Sequence, residues 1–598
     1  MILQALNEYY ERKQDSRELA PEGFERKEIP FVIVLDADGN VRQIDDTRSG
    51  ESKKKQAKSF LVPQSAKKSV NVAATLLWGN AEYVLGIPDS KKLEDNRKKG
   101  KESRYRERLK EMHKSFVALI ENRLGGFDDA GIAAVLAFLS SPNMQRLEQE
   151  ACWEEIKITN PNLTFRLNSD SPDMPICARP AVVEALQESD VGGKTGNESS
   201  FCLIRGKDDR VQRLHPSIKG VWGAQTSGAN IVSFNLPAFA SYGKEQGANA
   251  PVGERAAFNY TTVLNHLLHK GSPQRIQVGD ASTVFWASKK SAFVDSFAAL
   301  FGPPSADDPD RGVQAMHNLL DATRTGVYLS PDKEDVRFYV LGLAPNAARI
   351  AVRFWKEGPV SELALNIAQH FKDIEIDKPA FESGYLSLFR LLNSTALQNK
   401  AENVPSDLAG DTMRSVLTGL PYPITLLQAA VRRCRAEQSV PYVRAAVIKA
   451  CLNRFIRRKQ FTAKDLDMSL DRSNTDPGYR LGRLFAVLER IQGEAQPGIN
   501  ATIRERYYGA ASSSPSSVFP LLLRLKNHHL AKLDKPGHVV RFEKLLGEII
   551  GGLDDFPPQL NLREQGLFAI GYYHQQQDLF AGKPKSADAS DHSTSGEQ

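Results

Sequence analysis

Ser241 to Arg255 holds the residues of this chain best suited to contact with a charged, polar ligand. Gly243, Gly247 and Gly253 are interspersed with Lys244, Gln246, Asn249 and Pro251, with little apolar content between them. Glycine lets a backbone approach a ligand closely and adopt positive φ. Asn and Gln carry paired donors and acceptors that match base edges. A loop of this make-up is costly to order without a partner, and a phosphate backbone or a groove edge would suit it. The same composition also describes a solvent-exposed connection, and composition leaves both readings open. Asn230–Asn235, just upstream, reads as a short strand leading into the segment.

Other candidate chemistry is weaker. Gly192-Gly193-Lys194-Thr195 imitates the end of a phosphate-binding loop, but Glu188 stands where the motif needs glycine, and the preceding PAVVEALQES is helical in character. Asp36-Ala37-Asp38-Gly39 begins like a calcium loop but lacks the later ligands and closing glutamate, so a hairpin turn fits better. His266 and His269 sit three apart on an expected helix, Thr261–Lys270, without an acidic partner at metal-site spacing. His528 and His529 are adjacent and point different ways around a helix. No residue is nominated as catalytic or as a metal ligand, and no cofactor is expected.

Basic clusters do stand out. Lys53, Lys54, Lys55 and Lys58, with Lys67 and Lys68, flank a proline-containing loop. Between Leu426 and Gln460 nine Lys or Arg face one acid, Glu437. There Val443, Val447, Cys451 and Phe455 repeat every four residues, which assigns that stripe to a core and leaves Arg444, Arg454, Arg457, Arg458 and Lys459 largely outward. A helix with such a face suits a phosphate track. Arg504, Arg506, Tyr507 and Tyr508 offer a second face for stacking and phosphate contact with single strands. Charge runs are usually solvated faces; together these clusters make nucleic acid the leading partner class.

The elements that must position these residues follow from periodicity. A helix is expected over Ile2–Lys13, then a hairpin of Phe31–Leu35 and Val41–Ile44 turning at Asp38-Gly39. Asn71–Gly86 reads as extended structure broken at Gly79-Asn80, and Lys91–Glu121 as a polar helical stretch. A second hairpin, Arg337–Leu343 with Arg349–Trp355, precedes an amphipathic helix over Val360–Phe371. Beyond Phe381 apolar residues recur at helical spacing. The expected class is α+β: a mixed region over 1–380, a basic helical region over 381–467, a helical bundle over 468–582 and a disordered tail over 583–598. The 598 residues can bury normal cores, and 78 basic against 72 acidic residues give only +6, so the placement of charge matters more than its total. The absence of a signal-peptide pattern, of a membrane span and of Cys-x-x-Cys points to a cytoplasmic protein with reduced thiols.

GAQTSGANIVSFN (223–235), AFASYGKEQGANAPVGERAAFNYTTVLNHLL (238–268), GDASTVFWA (279–287), YRLGRLFAVLERIQ (479–492), INATIRERYYGAASSSP (499–515) and LREQGLFAIGYYHQQQ (562–577) resemble the large subunit of the type I-C CRISPR Cascade surveillance complex. The resemblance runs almost end to end and weakens at Lys91–Lys110 and in the tail. It implies a non-catalytic role in RNA-guided DNA interference. The expected partners are CRISPR RNA, target double-stranded DNA, the backbone and 5′-handle-binding subunits, and a recruited helicase–nuclease. It further implies that the C-terminal helical part is also made separately as a small subunit, for which Met468 is the candidate start.

A subunit of that kind reads a short protospacer-adjacent motif and begins strand exchange, while guide pairing supplies most of the sequence discrimination. Gln225, Thr226, Ser227, Asn230 and Asn235 are the candidates for shaping the motif site. Tyr242, Lys244, Gln246 and Asn249 are the candidates for groove insertion or wedging, with Asn80 an additional one. Lys53, Lys54, Lys55, Arg432, Arg433, Arg457 and Arg458 are the candidates for phosphate contact. Two other classes stay open on residues alone: a metal-dependent nuclease with scattered acidic ligands, and a scaffold that docks only proteins.

Overall fold

The computed structural model describes residues 1–14, 18–50, 55–65, 72–191, 199–302, 310–327, 336–458 and 464–581, with the side chains of 187–191 left aside. Lys53, Lys54, Lys67, Lys68, the Gly192–Thr195 segment, Lys459 and the 583–598 tail lie outside the described residues. The fold is α+β, with sheets and helices toward the N-terminus and helices dominating the C-terminal part. It divides into two compact units, one comprising 1–218 and 230–266, the other 219–229 and 267–598.

The first unit is built on a four-stranded sheet. Strands β1 (Phe24–Glu28), β2 (Phe31–Leu35), β3 (Val41–Asp46), β4 (Ser59–Pro63), β5 (Trp78–Asn80) and β6 (Asn162–Leu167) form the order β3-β2-β6-β5, with β1 and β4 as a separate pair. All five residues of β2, FVIVL, are buried, as suits a central strand paired antiparallel to β3 and parallel to β6. The β2–β3 turn forms at Asp38-Gly39 as expected, and Asp36 Oδ1 accepts the Asp38 and Asn40 amides. Helices Glu102–Leu124 and Ala130–Ser140 bury Phe116, Ile120, Ile132 and Val135 in the core containing this sheet.

The Gly79-Asn80 break departs from the extended reading. β5 ends at Asn80, which caps the short helix Ala81–Val84, its Oδ1 accepting from Tyr83 N at 3.3 Å. Cap chemistry, rather than turn chemistry, accounts for an asparagine there. The helix Glu254–Leu267 starts and ends earlier than the expected Thr261–Lys270, so His269 falls outside it. Phe258 of this helix packs edge-on against Tyr10 of helix Ile2–Lys13, and Asn259 Nδ2 donates to Asn7 Oδ1 at 2.9 Å.

The second unit opens with an antiparallel meander. Its strands β9 (Arg275–Val278), β10 (Ala281–Ala287), β11 (Arg337–Asn346) and β12 (Arg349–Pro359) include the expected second hairpin. (The two-stranded β7, Ser199–Phe201, and β8, Asp208–Arg210, belong to the first unit.) Helix Val360–Ile374 follows, as its amphipathic spacing requires. One core then runs from Ile276 to Tyr573. Helices Pro477–Ala495 and Leu562–Phe580 approach so closely that a Cβ on Gly482 or Gly571 would lie 2.0 Å from a carbonyl oxygen of the opposite helix. No helix is long and apolar enough to cross a membrane among the described residues.

Candidate nucleic-acid interface

Residues 230–250 do not contain the strand expected at Asn230–Asn235; that stretch is irregular, with side chains half-buried or exposed. No named strand includes it, and Asn230 serves as a brace. Its Nδ2 donates to His215 O and Pro216 O, both at 3.0 Å. Asn235 is exposed.

Beyond it, Ser241-Tyr242-Gly243-Lys244 forms a tight two-residue turn. Ser241 and Lys244 bridge antiparallel, with Lys244 N donating to Ser241 O at 2.9 Å. Both central residues are left-handed, Tyr242 at φ +51° and Gly243 at φ +70°. That pattern belongs to a type I′ turn, in which glycine is at home and a bulky aromatic residue is not. Tyr242 is 98 % exposed.

Asn249 clamps this turn. Its Oδ1 accepts Ser241 N at 2.9 Å, while Nδ2 donates to Lys244 O and Gln246 O, each at 3.1 Å. The base is tied to the rest of the unit by Gly247 N donating to Arg213 O and Gln212 N to Val252 O. A Cβ on Gly247 would lie 2.1 Å from Gln212 O, so only glycine permits this approach. Gln246 adopts φ +45°, and its Oε1 is buried with no hydrogen-bond partner among the described residues. Helix Glu254–Leu267 begins directly after this base, and its Tyr260 hydroxyl meets His215 Nδ1 at 2.6 Å. Burial raises the Tyr260 pKa, so the phenol stays protonated. The finger therefore stands on an ordered foundation.

Gln225, Thr226 and Ser227 belong to the second unit and are all exposed. They lie on a turn closed by Gly228 N donating to Gln225 O at 2.9 Å. Trp222, also exposed, is held nearby by its amide on Ser282 Oγ at 2.9 Å.

The basic helix Tyr442–Arg457 corrects the outward reading for Arg444 and Arg454, whereas Arg457 is exposed as expected. Arg444 and Arg454 are buried, 1 % and 3 % exposed, and Lys449 is buried too. Asp373, itself buried, accepts from Arg454 Nε at 2.7 Å and from Arg457, while Lys449 Nζ reaches the Asp373 carbonyl at 3.1 Å. Arg454 also donates to Ser415 O and Leu420 O, both at 2.7 Å, and lies 4.1 Å over the Tyr422 ring. Tyr422 OH meets His370 Nδ1 at 2.6 Å. Burial, aided by Arg454, pushes His370 down to about 3, so this imidazole is neutral. Arg433 and Arg444 converge on Glu437, and Arg457 also faces Asp465. A buried cation requires a partner, and beyond Glu437 the carboxylates that serve, Asp373 and Asp465, came from segments the local charge count did not include. Arg432, Arg458 and Lys55 are exposed.

The stacking face on helix Ile503–Ala511 is likewise corrected for its aromatic residues, while Arg506 is exposed. Tyr508 is 1 % exposed and packs edge-on against Phe485 and Phe568. Arg504 faces Glu489, and Tyr507 is packed against the core.

Sequence reasoning missed two properties of the finger: the left-handed backbone at Tyr242 and Gln246, and the bracing role of Asn249. A family model for CRISPR-associated protein (Cas_Csd1) matches residues 6–580. Among curated proteins none matches the chain. The chain belongs to the Cas_Csd1 family and is a large subunit of type I-C Cascade.

Proposed function

We propose that this large subunit reads the protospacer-adjacent motif in duplex DNA with the Tyr242–Gly243 turn and begins R-loop formation there. The observation that carries the reading is Tyr242, a fully presented ring on a left-handed backbone braced by Asn249. A bulky residue at positive φ costs of order 1–2 kcal/mol. Exposure returns no packing energy for it, and such costs concentrate at functional sites. The ring suits stacking on a base or wedging between base steps. Lys244 adds a cation one residue beyond the tip, and Gln246 an amide for a base edge.

Asn80, Asn230 and Asn249 support the fold rather than touch DNA, because their amides are committed to local partners. Gln225, Thr226 and Ser227 form a second polar contact, with Asn235 beside the first. Lys53, Lys54, Lys55, Arg432 and Arg458 are phosphate contacts, and Arg433 and Arg457 are structural. Chemistry is left to a recruited helicase–nuclease, and the guide RNA and the backbone and 5′-handle subunits complete the cytoplasmic assembly. Translation from Met468 supplies the small subunit; Met468→Leu should abolish the shorter product and leave the full chain.

The test is equilibrium binding by reconstituted complex carrying Tyr242→Ala and Lys244→Ala. Preference for motif-bearing over motif-lacking duplex should collapse while guide content stays constant. An unchanged preference removes the finger from motif reading.

A further inference from the structure

Helix Ser90–Lys98 buries no residue. Ser90 to Lys101 contains Lys91, Lys92, Arg97, Lys98, Lys99 and Lys101 against Glu94 and Asp95. A helix that is polar all round contributes nothing to a core and needs another reason to be ordered. Here the order comes from caps and ion pairs. Asp89 Oδ1 accepts the Lys91 and Lys92 amides at 3.0 and 3.1 Å, and Lys98 pairs with Glu94 at 2.7 Å. Glu102, at the start of the next helix, takes both Arg97 and Arg106.

One buried carboxylate fixes the arrangement to the first unit. Glu82 accepts Lys92 Nζ at 2.8 Å, Tyr105 OH at 2.7 Å and Asn160 Nδ2 at 2.7 Å, and Tyr105 OH in turn accepts Asp89 N at 3.0 Å. Burial opposes Glu82 ionisation, but the Lys92 and Tyr105 hydrogen bonds outweigh it and hold its pKa below the usual carboxylate value. Glu82, Asp89, Glu94 and Glu102 are thus consumed internally, while Asp95 is exposed. Lys91, Lys99, Lys101 and Arg104 are exposed and pair with no carboxylate among the described residues.

We propose that this helical hairpin is a further, sequence-independent contact on the phosphate backbone of duplex DNA. It rests on duplex DNA as the partner but not on the finger. Lys91 and Lys99 are separated by eight residues of helix, about 12 Å, close to the ~12 Å width of the B-DNA major groove. Cations at both ends of the helix can therefore rest on phosphates across that groove. Lysine and arginine heads without amide companions position a duplex and carry no base information.

The experiment uses the full reconstituted complex with Lys99→Gln, Lys101→Gln and Arg104→Gln together. Affinity for motif-bearing and motif-lacking duplex is measured across salt concentration. Each lost phosphate contact should flatten the log–log slope by about 0.9, or about 2.7 for three. Both duplexes should weaken equally, so the preference ratio stays put, whereas failure of the finger would appear in that ratio with Tyr242 variants. Lys99→Arg, Lys101→Arg and Arg104→Lys should preserve the slope. An unchanged slope in the glutamine variant overturns the proposal. So does loss of guide RNA or of a neighbouring subunit with DNA affinity intact, which would assign the surface to that partner.

Discussion

The finger at Ser241–Asn249 and the helix Tyr442–Arg457 both look like polar, ligand-facing elements in the sequence, and the structure treats them oppositely. In the finger, the Asn249 amide is spent on backbone groups while the aromatic ring and the lysine are exposed. In the helix, Arg444, Lys449 and Arg454 turn inward onto Asp373, Glu437 and main-chain carbonyls. What separates the two is the presence of carboxylates from distant elements. Asp373 lies 81 positions from Arg454 and 84 from Arg457. A local count of charges therefore measures cationic density without saying which way it faces.

The largest effect expected from this contrast is on stability. Arg454→Met leaves the buried Asp373 with Arg457 as its remaining cation, beside the Gln369 amide, and should cost about 3–5 kcal/mol in denaturant unfolding. Tyr242→Ala in the same assay should stay within about 0.5 kcal/mol, since nothing packs on the ring. Equal losses in the two variants would erase the distinction. Next in size, Tyr242→Ala and Lys244→Ala should each remove roughly 1–3 kcal/mol of motif preference, a range set by base-edge contacts. Arg454→Met assayed in folded complex should leave that preference alone.

Acidification should also distinguish the regions. Burial, with Arg454, sets His370 at about 3, and burial, with Lys449, does the same for His574. Both folded values lie below the ~6.5 of an unfolded histidine. The unfolded chain therefore takes up these protons first, and the stability present above pH ~6.5 is lost progressively between ~6.5 and ~3. Each histidine should contribute a loss of about 2 kcal/mol by pH 5. His574→Leu, compared with the parent by thermal unfolding at pH 7 and 5, should have the shallower dependence. The finger contains no histidine, and its presentation of Tyr242 should be unaltered over that range.

Smaller still is the effect of loosening the turn. Asn249→Ala deletes three hydrogen bonds that hold the tip, and should weaken motif preference with a stability cost of about 1 kcal/mol. Preference unaffected by this change would mean the tip needs no bracing.

Much of the scaffold was legible because local rules govern it. Asp38-Gly39 announced the first hairpin, the two strand-like runs Arg337–Leu343 and Arg349–Trp355 the second, and apolar residues four apart marked helix Tyr442–Arg457. Asn230–Asn235 misled, because alternation describes a strand only when an edge is available to pair with it. Asn80 misled because a cap and a turn favour the same residue type. Of the site, the polar segment was legible from composition. The exposure of Tyr242 and the commitment of Asn249 depend on backbone angles that no pattern of residue types specifies.

The most direct test places a photo-crosslinking benzoylphenylalanine at position 242 of the reconstituted, guide-loaded complex and maps its products on a motif-bearing duplex. Crosslinks concentrated at or beside the motif are the predicted result. Crosslinks confined to protein, or scattered evenly along the duplex, would contradict the finger as the reader of DNA.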